Sequence, residues 1–291
     1  MSVKVLFIAL FQLLFVKIVM LQETERFKQI NRACLSPDSK IVLIASHRGA
    51  HIEFAENSMS AFKKGIELGI DLIKIDVRHT KDDSLVIMHD GSVDRTTNGK
   101  GKVAELTFDE VRKLHLKFNG QVTEEQVPTL EEVLNLAKGK ILVDLDIITS
   151  KVPEIMKVVD RTQTASTVIF FLGRGAYAKM VKAKNPAYRT LVRTHGETDV
   201  DSVFAVTNTE AVHIDPSHYS IAVTSKIKNG GARIWINALG DVDKKATAGN
   251  LEAYGDLLKN GANMIQTNNP ALLMKYLKTK IFIIKQQICW M

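Results

Sequence analysis

The sequence predicts an α/β fold of the (β/α)8 TIM-barrel class, with a small inserted region after the second strand. Three observations carry that expectation. Short apolar runs alternate with amphipathic segments from about residue 40 onward, the pattern of a parallel sheet with crossover helices. Eight such strand–helix units can be read, the number a closed barrel needs. No Gly-rich dinucleotide loop follows the first strand, which argues against a doubly wound open sheet. The chain of 291 residues, 45% hydrophobic and 24% charged, is long enough to bury a sizeable core.

In order, strands are expected near 41–46, 71–77, 141–146, 168–172, 190–194, 211–215, 232–237 and 264–267. Helices are expected at 57–68, 129–138, 152–160, 176–185, 200–207, 220–229, 250–260 and 270–279. Thr129 with Glu132 makes a capping-box start, and Gly261 sits where a helix stops. The run LVIMHD, residues 85–90, is also strand-like. It begins too soon after the second strand for a parallel crossover, so it reads as an extra strand rather than a ninth stave. The polar stretch that follows, about 91–127, is an insertion, with a short helix signalled by Thr107 and Glu110.

The ends differ from this body. Lys4 precedes the apolar run VLFIALFQLLFV, so residues 1–22 are expected to be a signal peptide or an N-terminal membrane anchor. An exported protein (secreted, periplasmic or membrane-anchored) follows from that expectation. The net charge of +7 comes without a long basic block or interleaved aromatics, so nucleic acid is not an expected partner. Cys34 and Cys289 are too few for a disulfide framework. The tail IFIIKQQICWM is apolar but short. Oligomeric state is not legible.

In a barrel, active sites form at the C-terminal strand ends. Those ends here carry His47-Arg48-Gly49, Asp76 and Arg78, His89-Asp90, Asp144 and Asp146, His213 and Asp215, then Trp235 and Asn237. Strand alternation puts Leu72, Lys74 and Asp76 on one face, and Leu142, Asp144 and Asp146 on one face of the next stave. Two histidines, an arginine and several acids at one mouth suit phosphate-ester chemistry. Arginine clamps a phosphoryl group, histidines exchange protons near neutral pH, and carboxylates hold Mg2+ or Ca2+. Arg174 is a candidate second phosphate contact, and Trp235 a candidate apolar wall for a substrate's carbon skeleton.

The ordered motifs IASHRGAHIEFAENSMSAF and GIDLIKIDVRHTKDDSLVIMHDGSVDRTTNGKG, continuing through VPTLEEVLNLAKGKILVDLD to ARIWIN and MIQTNNP, resemble the glycerophosphodiester phosphodiesterase family over about residues 41–279. The resemblance implies a (β/α)8 barrel that hydrolyses small-molecule glycerophosphodiesters to glycerol 3-phosphate and an alcohol, with a divalent cation. It implies His47 and His89 as acid–base pair, Arg48 as phosphate ligand, and Asp76, Asp146 and Glu56 as metal ligands.

Two positions depart from the family pattern. Glu-x-Asp is expected on the second strand, and Lys74-Ile75-Asp76 stands there; a lysine is usual after Asp146, and Ile147 and Ile148 stand there. A protonated lysine repels a cation and needs partners when buried, and Asp76, Asp144 and Asp146 are its natural ones. Three readings stay open. The Lys74 ammonium stands in for part of the metal's charge; the protein binds phosphodiesters without turnover; or the product becomes a cyclic phosphate.

Overall fold

The structure, a computed structural model, describes residues 25–289, with side chains as far as Lys280. The segment expected to be a signal peptide or anchor lies outside the described residues. A helix over residues 25–34, α1, comes first. Then follow β1 (Leu43–His47), α2 (Met59–Leu68), β2 (Leu72–His79) and a short β3 (Leu85–Ile87). The inserted region holds α3 (Phe108–Arg112) and the hairpin β4 (His115–Phe118)–β5 (Gln121–Gln126). The chain continues with α4 (Leu130–Ala137), β6 (Leu142–Ile147), α5 (Val152–Thr162), β7 (Val168–Leu172), α6 (Gly175–Lys184), β8 (Arg189–Arg193) and α7 (Glu197–Val206). It ends with β9 (Ala211–His213), α8 (Ile221–Asn229), β10 (Arg233–Asn237), α9 (Asp241–Thr247), α10 (Gly255–Leu258), β11 (Met264–Thr267) and α11 (Pro270–Cys289).

Eight parallel strands close on themselves in the order β1-β11-β10-β9-β8-β7-β6-β2, with β1 also pairing β2. β3 is antiparallel to the end of β2, where Val77 pairs with Ile87. It is the extra strand expected at 85–90, and it stops before His89-Asp90. The insertion has its own small core of Val86, Met88, Val93, Val103, Val111, Leu116 and Val127. Both expected capping boxes form, at Thr107–Glu110 and Thr129–Glu132; each cap contributes about 1 kcal/mol.

Two expectations are corrected. The helix expected at 250–260 is a 3-10 turn, Leu251–Tyr254, running into the single turn of α10 at Gly255. The preceding DVDKKAT forms α9, which its polar sequence hides from a periodicity reading.

The barrel interior is filled from below. Phe27, Ile30, Ala33 and Cys34 of α1 pack against Leu43, Leu72, Leu142, Ile169, Leu191, Ala211, Trp235 and Met264. Arg26 binds Asp71 at 3.0 Å, and the buried Arg233 donates to the carbonyls of Ala33, Ile41 and Asn263. Most of the strand partners are the first residues of their strands or lie just before them. α1, which precedes residue 40, thus packs as the floor of the barrel. Cys34 there is a free, buried thiol.

Candidate active site

The mouth opposite α1 gathers most of the expected site residues. His47 ends β1, and its Nδ1 lies 2.8 Å from Asn268 Oδ1 just past β11. With the amide oxygen facing the ring, Nδ1 is the donor and Nε2 keeps its lone pair. Asn268 is itself held by its backbone N–H, 2.8 Å from the buried Asp243 carboxylate. Burial, reinforced by the charges of Lys74 and Arg48, pushes the His47 pKa down to about 3, so the imidazole is neutral at physiological pH.

The chain then turns sharply. Arg48 adopts φ 55° and Gly49 φ 82°; a Cβ on Gly49 would lie 2.8 Å from that of Ala61, so this approach to α2 requires glycine. The turn aims the Arg48 guanidinium at Glu56 Oε1 (2.9 Å) and Asp76 Oδ2 (3.6 Å). Asn57 also adopts a left-handed φ, 55°. Its N–H donates to the Arg48 carbonyl (2.9 Å) and its Nδ2 to Asp76 Oδ2 (2.8 Å).

Lys74 faces the barrel interior, as alternation predicts. In register it lies beside His47 on one side and Asp144 on the other. Its Nζ is 2.8 Å from Asp76 Oδ1 and 2.6 Å from Asp146 Oδ2. Burial works against its charge, but the Asp76 and Asp146 carboxylates outweigh burial and raise its pKa. For Asp76 burial likewise opposes the charge; Lys74 and the Asn57 amide prevail and lower the pKa. Asp144, fully buried below them, has both oxygens without a hydrogen-bond partner among the described residues. Burial pushes its pKa well up.

His89 lies just beyond β3, beside the end of β2. Met88 N–H donates to the Asp76 carbonyl at 2.8 Å, and Arg78 donates twice to the His89 carbonyl, at 3.0 and 2.6 Å. The ring's Nδ1 donates to Asp90 Oδ1 at 2.8 Å, which leaves Nε2 facing outward. Arg95 ties this side together, binding Asp90 and both oxygens of Glu56. The hydrogen bond from Arg95 is the main reason the Asp90 pKa is depressed.

The metal set expected from the sequence does not converge. The Lys74 ammonium lies between Asp76 and Asp146, where a cation shared by the two carboxylates would sit. Glu56 is held by Arg48 and Arg95 instead. Among the described residues, no group of three or more His, Cys, Asp or Glu side chains is placed to hold a metal ion. The residues present therefore do not fit a divalent ion.

Other expectations shift too. Trp235 is 1% exposed and packs in the inner core, its Nε1–H donating to Asn237 Oδ1, so it is core rather than an open pocket wall. Arg174 caps the start of α6, exposed and without an ion pair among the described residues. His213 is buried between Phe171 and Trp235. Asp215 pairs with Arg193 at 2.8 Å and His195 at 3.2 Å across the mouth. Sequence reading did not assign roles to Asn57, Arg95 and Asn268. All three stand inside quoted motifs (AENSM, DRTTNGKG, MIQTNNP), but only the folded chain shows what they touch.

A barrel whose mouth joins a neutral histidine, an adjacent arginine, a second carboxylate-oriented histidine and balanced charges belongs to the class of (β/α)8 proteins built around a phosphate-ester site. Residues 47–236 match the Glycerophosphoryl diester phosphodiesterase family, and the chain belongs to that family. A glycerophosphodiester phosphodiesterase of Caldanaerobacter subterraneus is 45% identical over 108 residues, covering 36% of this chain and 44% of that protein. Human glycerophosphodiester phosphodiesterase 1 is 36% identical over 104 residues, covering 34% and 31%. The matched segments thus span less than half the length of these curated relatives. Over the whole fold, a glycerophosphoryl diester phosphodiesterase from Parabacteroides distasonis superposes with a TM-score of 0.76 at 25% identity, covering 87% of this chain and 92% of its own. An Oleispira antarctica phosphodiesterase, solved with its product sn-glycerol-3-phosphate, shares the fold at a TM-score of 0.66 and 18% identity, covering 82% and 97%.

Proposed function

We propose that this protein hydrolyses glycerophosphodiesters to glycerol 3-phosphate and an alcohol, using His47 and His89 as proton carriers and Lys74 as its fixed cation. The observation that carries this reading is the neutral His47, oriented by Asn268, beside Arg48. A neutral imidazole with a free Nε2 can accept a proton, and the negative charge of a phosphodiester bound beside it would favour the protonated form. His47 takes the proton of a water whose oxygen attacks phosphorus. The bond from phosphorus to the alcohol oxygen breaks, and protonated His89 returns a proton to that oxygen. Asp90 orients His89 and offsets its charge when protonated. Arg48 contacts the phosphoryl oxygens, and Lys74, just below, supplies positive potential to the developing charge. The family's usual chemistry draws on a divalent cation such as Mg2+ or Ca2+. Here its seat is taken by Lys74, and no step is assigned to it.

The test is hydrolysis of glycerophosphocholine in excess chelator. Turnover that persists supports the reading; no turnover of any glycerophosphodiester, with or without Ca2+ or Mg2+, overturns it. His47→Ala is expected to lose about 10²–10⁴-fold in kcat.

A second reading is binding without turnover. It is favoured by one observation: Arg48, the phosphate ligand, is already engaged by Glu56 and Asp76. Saturable calorimetric binding of glycerol 3-phosphate, with no product formed from any diester, would establish it. Phosphorus NMR of any product separates an open monoester from a cyclic phosphate.

A further inference from the structure

The described chain begins at the floor of the barrel. Arg26 near the start of α1 binds the Gly69 carbonyl and Asp71, both at the foot of β2. The apolar stretch VLFIALFQLLFV precedes this point in the sequence. α11 starts at the mouth, after β11, and runs back along the outside. At 20 residues it is about 30 Å long, whereas the 10 residues of α2 span about 15 Å. It is thus about twice as long as α2.

The floor itself suits a lipid surface. Leu35 and Ile41, beside α1, are 54% and 38% exposed. Around them Lys28, Arg32, Lys40, Lys138, Lys140 and Lys184 are exposed, and they outnumber the exposed acids Glu25, Asp38, Glu67 and Asp160 at that end. A basic rim about apolar side chains is complementary to anionic headgroups. Among the described residues no helix is long and apolar enough to cross a membrane.

We propose that the protein turns its floor to an anionic bilayer, so that the catalytic mouth faces the aqueous side. Its substrates are then deacylated, water-borne diesters rather than lipids of the same bilayer. That substrate consequence rests on the proposed hydrolase reading; the orientation does not. The mouth also exposes Ile52, Val122 and Ile221, so a mouth-down arrangement is the competing one.

The experiment uses the full chain with Cys289→Ser, leaving the buried Cys34 unreactive. A fluorophore is attached at Lys40→Cys on the floor or Ile221→Cys at the mouth. The protein is mixed with phosphatidylcholine–phosphatidylglycerol vesicles carrying a headgroup nitroxide quencher. The label at position 40 is expected to lose most of its emission and the label at position 221 to keep it. Equal quenching, the reverse order, or quenching at neither position overturns the orientation. In the same mixture, dissolved glycerophosphocholine is expected to be hydrolysed and vesicle-borne lysophosphatidylcholine to be left intact; turnover of the lysolipid overturns the substrate class. Quenching at position 40 with neither substrate hydrolysed upholds the orientation while the hydrolase reading falls.

Discussion

Buried cations at the two ends of the barrel are neutralised differently. At the floor, Arg233 is fully buried and donates to the backbone carbonyls of Ala33, Ile41 and Asn263. At the mouth, Lys74 is 4% exposed and lies between the carboxylates of Asp76 and Asp146. Carbonyl dipoles cannot leave or change charge, so Arg233 is a structural tie between α1 and the staves. Carboxylates can accept another cation in place of an ammonium, so Lys74 occupies a seat whose electrostatic role is exchangeable. The same physics, a buried charge that must be compensated, yields fixed dipole contacts in one region and exchangeable carboxylate contacts in the other.

The largest expected effect breaks the floor. Arg233→Met removes three hydrogen bonds from a charged donor, to the carbonyls of Ala33, Ile41 and Asn263, and loosens α1; a loss of about 3–5 kcal/mol is expected. Denaturant melts check this. Rate per folded molecule should be unchanged, because nothing at the mouth touches Arg233. The next sharpens the mouth. Lys74→Glu replaces the ammonium with a third carboxylate, which joins those of Asp76 and Asp146 around one point. Without metal, the clustered negative charge is expected to destabilise the fold by about 3 kcal/mol. Divalent ion at a hundred times its Kd should restore about 2.7 kcal/mol, read as a Ca2+- or Mg2+-dependent rise in Tm that the parent protein lacks. If the variant's Tm ignores both ions, the seat is not a cation site.

A third prediction separates the two histidines. Because burial and the Lys74 and Arg48 charges push His47 down to about 3, it stays neutral from pH 5 upward and contributes no acid limb there. The kcat profile between pH 5 and 8 is expected to show no ionisation that His47→Ala removes while residual activity remains measurable. A limb near 6.5 that vanishes in that variant would contradict the assigned base.

Much of the barrel was legible because alternating apolar runs and caps are local signals. The staves at 168–172 and 264–267 were read at their observed bounds, and both capping boxes formed. Lys74, Asp76, Asp144 and Asp146 were placed inward by strand alternation alone. Three things were not legible, each for a nonlocal reason. α1 is short and polar on its outer face, so nothing within it announces that it fills the barrel floor. Trp235 looked like a pocket wall, but whether an inward residue is core or lining depends on how deep its layer lies. Asn268 is 221 residues from His47 in sequence, and only barrel closure through the β1–β11 pairing brings it to the imidazole.

The smallest expected effect probes the layer beneath Lys74. Asp144 is buried with no hydrogen-bond partner among the described residues, and its carboxyl pKa is raised by burial, which outweighs the attraction of Lys74. In the unfolded chain it ionises near about 4. Above that pH the unfolded state sheds a proton that the folded state retains, so folding stability falls as pH rises toward the folded pKa. Asp144→Asn has the same shape and cannot ionise, so it removes this slope. Below about pH 4 the two proteins should be nearly equally stable, and the variant should gain steadily above it. Urea midpoints at pH 4, 5, 6 and 7 check the trend. A variant that is less stable at every pH would mean that Asp144 is ionised in the fold and shares the ammonium of Lys74, a three-carboxylate arrangement at the mouth in place of the two-carboxylate one described here.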